Sequence, residues 1–263
     1  MPDKKQIDSK KIAIVILFLV FFAKLGFIIW QFVDNKYLIA PGGDPVHHLA
    51  IIQSILDGKF SFQSIPYPPL YHLIMAGFIK LKGMDALTAM KYGAVTLLFI
   101  NVPICYYLSK YLFGFWPAFF ATLLFMLVSS NPLLNFVDGS YPDMLNYGVF
   151  VPLAFFFLLK SFEKKPLINL FITLGFIILM IFTHHMTATF ALLIIAVFLL
   201  VSGIYYYFTK DSELRNYKII SLFFLLSGLV IYVLARISFG PMIDIVMNSI
   251  FSGGSYMANA TFF

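Results

Sequence analysis

Apolar residues fill this chain in long runs, and the polar residues gather where the runs stop. Runs near 12–33, 86–109, 114–131, 144–161, 166–184, 187–208 and 217–237 are each continuous enough to cross a bilayer as helix, which takes ~17–25 residues. The pattern predicts an all-α polytopic membrane helical bundle of about seven spans, a single transmembrane domain over 1–263. One further stretch, 67–81 (YPPLYHLIMAGFIKL), is apolar but short and opens on two prolines. Counted as a span, it would move every later loop to the opposite side.

Charge decides between the two topologies. With 67–81 lying on the surface, the cytoplasmic side receives Lys4, Lys5, Lys10, Lys11, Lys110, Lys160, Lys164, Lys165, Lys210, Arg215 and Lys218. The outer side then holds only Lys36, Lys59, Lys80, Lys82 and Lys91. The reverse assignment inverts the bias, so the positive-inside rule favours an interfacial helix at 67–81. The expected protein is multi-pass in the plasma membrane, with a cytoplasmic N-terminus and a long outer loop, 34–85, carrying interfacial helices. Segments 131–143 and 183–187 share that outer face.

Composition narrows the function classes. The chain is 61% hydrophobic and 11% charged, with a mean hydropathy of +0.91, values that exclude a soluble domain. The net charge of +6 sits at the ends of apolar runs, as topology signals do, so no nucleic-acid partner is expected. A lone Cys105 inside an apolar run excludes a disulfide framework within the chain. The first run is too long for a signal-peptide core and lacks a small-x-small cleavage site, so it is expected to be a retained span.

Titratable groups beside a bilayer are costly and mark sites by default. Asp44-Pro45-Val46-His47-His48 is followed by Tyr67-Pro68-Pro69-Leu70-Tyr71-His72 in the first outer segment. Asp44 suits a helix N-cap with Pro45 at the first helical position, and equally a metal ligand or general base held at a helix start. His48 lies one turn on and can point the same way, whereas His47 diverges from it, which argues against both binding one metal. Asp138 and Asp143, in Asp138-Gly139-Ser140-Tyr141-Pro142-Asp143, open a span at the same face, as a turn and helix cap or as further carboxylates. Hard cations such as Mg²⁺ or Mn²⁺ take carboxylates from separate loops together with substrate phosphate.

His184 and His185 fill a short turn between two helices, as interfacial polar groups or as metal ligands. Arg236, near the outer end of the last run, either snorkels to the headgroups or holds a lipid phosphate. Lys24 sits deep in the first span and requires a partner or a water-filled cavity. No His-Glu-x-x-His, Cys-x-x-Cys or Walker-type glycine loop occurs, so zincin protease and nucleotide-hydrolase chemistry have no support.

Gly43-Asp44-Pro45-Val46-His47-His48 followed by Tyr67-Pro68-Pro69-Leu70 resembles the first outer loop of the GT-C glycosyltransferases. It is most similar to the N-terminal transmembrane part of archaeal and bacterial oligosaccharyltransferase catalytic subunits, with their Asp-Pro-x-x-His type motif and Pro-Pro-Leu type helix. Gly139-Ser140-Tyr141-Pro142-Asp143-Met144 resembles their Gly-Tyr-x-Asp-x-Asp-Met segment at the start of a span. The resemblance runs in order and spacing over roughly residues 10–210.

It implies a membrane enzyme that transfers a sugar from a polyprenyl-phosphate-linked donor at the extracytoplasmic face. Asp44 and Asp143 would be the catalytic carboxylates, and a divalent Mg or Mn ion would be the cofactor. The candidate metal ligands are Asp44 and Asp143, with Asp138, His184 and His185 as further ones. His47, His48, Tyr67, His72, Tyr141 and Arg236 would contact substrate, Arg236 through the donor phosphate. The acceptor is a glycan, lipid or protein.

Two departures qualify the likeness. The family's Trp-Trp-Asp-Tyr-Gly sequon-reading motif has no counterpart, Trp30 and Trp116 each standing alone. Tyr141 occupies the place of the family's first acidic residue in the second loop. A smaller relative acting on lipid or polysaccharide, or an incomplete chain, is therefore expected. The rivals are a non-catalytic GT-C-like subunit and a transporter.

Overall fold

A computed structural model describes residues 4–30, 44–61, 67–127, 140–163, 165–209 and 216–229, with the side chains of residues 4–8, Asp44 and His185 outside the description. Among these residues helices are the only regular secondary structure. They are α1 (Lys4–Ile28), α2 (Asp44–Leu56), α3 (Leu70–Lys82), α4 (Ala86–Phe113) and α5 (Phe115–Leu127). They continue with α6 (Tyr141–Glu163), α7 (Pro166–Thr183), α8 (His185–Thr209) and α9 (Tyr217–Leu229).

The all-α membrane bundle expected from the apolar runs is present. Five helices among the described residues, falling in α1, α4, α6, α7 and α8, are long and apolar enough to cross a membrane. The runs at 114–131 and 217–237 correspond to the 13-residue helices α5 and α9, which rise only about 20 Å at 1.5 Å per residue. Both lead into residues outside the description. The 67–81 stretch forms α3, also 13 residues, too short for a hydrocarbon core of about 30 Å.

Local chemistry sets the helix ends. Asp85 caps α4 by accepting the Thr88 backbone N–H at 2.9 Å, which holds its carboxyl below the usual carboxylate range. Gly83, at φ +66°, closes α3 in the left-handed region that favours glycine, and its N–H returns to the Ile79 carbonyl at 2.8 Å. Asn216, just before α9, donates to the Ser161 and Phe162 carbonyls at 3.4 and 3.2 Å and so secures the last turn of α6.

Helix α6 contains a π-helical turn, Asn146–Phe150, whose extra residue per turn is uncommon and often sits at functional sites. Gly148 in this turn lies flush against α4, because a Cβ there would collide with the Asn101 side-chain amide. The core runs between α4, α6, α7 and α8 through Leu98, Ala154, Leu158, Leu170, Ile177 and Ile195, each at most 4% exposed. Phenylalanine and leucine cover the outward surfaces, for example Phe18, Phe171 and Leu193, as a lipid-facing surface requires.

Helix α1 packs on α5, and this contact supplies the partner that Lys24 requires. Its ammonium donates to the carbonyl of Met126 on α5.

Candidate functional site

Three polar segments separated in sequence meet at one end of the bundle. Helix α2 starts at Asp44, with Pro45 buried at the first helical position, and turns Ile52 and Leu49 toward the core. The same face carries His48, 3% exposed, while the neighbouring His47 is exposed. The two imidazoles thus diverge, as adjacency on a helix demands.

Across from His48, the first turn of α3 presents His72, fully buried, and the two rings meet with His48 Nδ1 2.9 Å from His72 Nε2. Burial, with the adjacent His48 adding to it, drives the His72 imidazole down to about 3 against a weak contrary pull from the Pro68 carbonyl, so the ring is neutral at pH 7. In this contact one ring donates and the other accepts, while His72 Nδ1 is buried with no hydrogen-bond partner among the described residues. Tyr71 is 1% exposed and its hydroxyl finds no hydrogen-bond partner among the described residues. Burial, with Tyr141 and Tyr67 contributing, raises this phenol well above its ordinary value.

Tyr67 stands between this pair and the other half of the site. Its ring centroid lies 5.6 Å from His48, 5.4 Å from His72 and 5.8 Å from His184. Tyr141, in the first turn of α6, approaches His48 and Tyr71, with ring centroids 6.2 Å from each.

Asp143, one turn into α6, receives His184 from the break between α7 and α8, with Nδ1 to Oδ1 at 2.8 Å. His184 is a single extended residue, φ −159° and ψ 109°, between Thr183 and the start of α8. The Thr187 hydroxyl donates to the same Asp143 oxygen and lies 2.9 Å from His184 Nδ1. A carboxylate oxygen can only accept, so the contact with Asp143 places a proton on Nδ1, the nitrogen that the Thr187 backbone N–H also approaches at 3.4 Å. Both contacts to Asp143 fall on Oδ1. The side chains of His184 and Asp143 are 18% and 23% exposed, so the pair is sheltered and still reachable. His48 is near enough to interact electrostatically with the Asp143 carboxylate.

Of the residues singled out in the sequence, the structure brings together His48, Tyr67, His72, Tyr141, Asp143 and His184. Asp44 begins the helix that carries His48 one turn later, and its side chain, like that of His185, is outside the description. Asp138 and Arg236 lie outside the described residues. Three further participants emerge: Tyr71, Thr187 and Asn146, whose side-chain amide donates to the Met180 and His184 carbonyls at 3.2 Å each. Thr187 follows His184 by three positions and Asn146 follows Asp143 by three, the spacing that places residues on one helix face and the one signal the sequence offered.

Among the described residues no group of three or more His, Cys, Asp or Glu side chains is placed to hold a metal ion. No family model matches this chain, and neither a curated protein nor a solved structure matches it.

Proposed function

We propose that this protein is a GT-C-like membrane glycosyltransferase that moves a sugar from a polyprenyl-phosphate-linked donor to an acceptor at the extracytoplasmic face. The observation that carries the reading is the sheltered Asp143–His184 pair, 2.8 Å apart, assembled from two chain segments beside the first polar segment. A bundle built only to sit in lipid gains little from a carboxylate and an imidazole at this position, since ionisable groups there are expensive.

The transfer forms a bond from the acceptor oxygen to the anomeric carbon and breaks the bond from that carbon to the donor's phosphate oxygen. The acceptor's proton must leave, and the lipid phosphate departs with its charge. Asp143 holds the His184 ring by Nδ1, so Nε2 is the lone pair that takes the acceptor's proton. Asp44, at the start of α2, is the second proposed catalytic carboxylate, and the positive end of that helix favours the donor's phosphate nearby. His48, Tyr67, His72 and Tyr141 shape the wall beside the pair and limit water there. If the reaction uses a divalent ion such as Mg²⁺ or Mn²⁺, Asp143 Oδ2 and Asp44 are the oxygens that would hold it, and the ion would neutralise the leaving phosphate.

The test is transfer of radiolabelled sugar from a pool of polyprenyl-phosphate donors by membranes that contain the protein. Wild type is compared with Asp44→Asn and Asp143→Asn, with and without EDTA. Loss in both variants with the fold intact supports the assignment, and suppression by EDTA adds the metal. An inactive wild type that is folded in the membrane would instead favour the rival reading, a non-catalytic subunit in which Asp143–His184 is a structural tie.

A further inference from the structure

Asn146 is fully buried, and its amide spans the break between α7 and α8, donating to Met180 O and His184 O at 3.2 Å each. The orientation of the amide is fixed by chemistry, since only the NH₂ group can serve two carbonyl acceptors. Neither carbonyl needs it. Met180 O already accepts the His184 N–H at 2.9 Å, and His184 O already accepts the Ala188 N–H at 3.1 Å. The amide therefore repairs no orphaned group. Its own Oδ1 is buried without a hydrogen-bond partner, a net local cost that an apolar side chain of similar size would avoid.

What Asn146 adds is a tie from one side chain to both sides of the break. Met180 lies in the last turn of α7, and His184 is the extended residue from which α8 departs. Three residues earlier on the same helix, Asp143 grips the His184 ring. The π turn begins at Asn146, so α6 holds His184 twice, by its ring through Asp143 and by its backbone through Asn146.

We propose that Asn146 is a positioning residue: by stapling the end of α7 to the start of α8 it fixes the backbone of His184, and so holds the imidazole in the Nδ1–H orientation toward Asp143. The inference deepens the catalytic reading of the same site, but its primary readout needs no activity. In Asn146→Asp, an isosteric change, the two donors are replaced by an oxygen facing two carbonyls, and the staple is lost.

The experiment is NMR of the detergent-solubilised full chain with ¹⁵N-labelled histidine. The His184 signals are assigned by their disappearance in His184→Gln. Wild type should show one Nδ1–H tautomer, and Asn146→Asp should show mixed tautomers or exchange broadening at His184, with His72 unchanged. Thr173→Val, which removes hydrogen bonds to the Ala154 and Asn169 carbonyls elsewhere on α7, is the stability control and should leave His184 as in wild type. If Asn146→Asp does not fold, Asn146→Ala, which removes the donors without adding a repelling oxygen, is measured in its place. An unchanged His184 spectrum in the folded variant, or an equal disturbance in Thr173→Val, overturns the proposal. Sugar transfer measured alongside should fall at least tenfold in kcat with KM little moved. Activity absent from wild type sinks the glycosyltransferase reading and leaves the spectroscopic result standing.

Discussion

His48 Nδ1 and His72 Nε2 lie 2.9 Å apart with both rings buried, one on α2 and the other in the first turn of α3. This contact joins the two ends of the first polar segment, and it requires one ring to donate and the other to accept. A second proton on His72 would place a charge on a fully buried ring.

Stability should therefore fall with pH in a defined window. The unfolded chain protonates His72 near 6.5, whereas the folded chain resists until about 3, through burial and the neighbouring His48. Between those values the unfolded state binds the extra proton, so the stabilisation is complete above about 6.5 and is lost as pH falls toward 3. The groups that face His72 are His48, Tyr67 and Tyr71. Melting temperatures in detergent from pH 7.5 down to 4.5 should decline more steeply for wild type than for His72→Gln. Parallel curves for the two would contradict the assignment.

Asp143 and Thr187 separate chemistry from structure. Asp143→Asn should reduce transfer roughly 100-fold or more, the scale of a lost catalytic proton-transfer group. Thr187→Val removes a hydroxyl that donates to the same oxygen and should reduce transfer less than about tenfold, since the imidazole keeps its carboxylate. Both should lower stability by a similar amount, about 1–2 kcal/mol for one sheltered hydrogen bond. Equal activity losses in the two variants would point to a structural tie.

Two glycines distinguish close backbone approach from mere proximity. Gly148→Ala drives a Cβ into the buried amide of Asn101 and should cost about 2–3 kcal/mol, since that buried amide must shift to admit it. Gly93→Ala meets only the flexible end of Met75, with Cε at 2.8 Å. There the gain in helix propensity, up to about 1 kcal/mol, offsets the adjustment. Unfolding in mixed micelles should rank Gly148→Ala well below wild type and Gly93→Ala within about 1 kcal/mol of it.

The runs of apolar residues made the helices and their order legible, and charge at their ends set the expected topology. The clustering of His48, Tyr67, His72, Tyr141, Asp143 and His184 followed from polar segments placed at one bundle end. What stayed hidden were the pairings. Spacing along a helix reports which residues share a face, and it says nothing about which residue of another helix meets them. His48 with His72 and Asp143 with His184 depend on how α2 meets α3 and α6 meets α7. The π turn was equally hidden, because residues 146–150 (NYGVF) read as a continuation of an apolar helix. Asn146 therefore looked like one polar residue in a span.

Lys24 discriminates between enzyme and transporter. Its ammonium donates to the Met126 carbonyl of α5, a packing role that an apolar side chain can replace. Lys24→Met forfeits one charge-assisted hydrogen bond, about 1.5–3 kcal/mol, and also removes the expense of holding a cation within a span, about 2.5 kcal/mol or more. The two nearly cancel, so the variant should fold within about 1 kcal/mol of wild type and retain sugar transfer. A transporter that used this lysine to couple ions to flux would be silenced by the same change. Proteoliposome uptake and the transfer assay, run side by side on Lys24→Met, thus give opposite signatures, and loss of transfer in a folded Lys24→Met protein would move Lys24 from the packing of α1 on α5 into the working site.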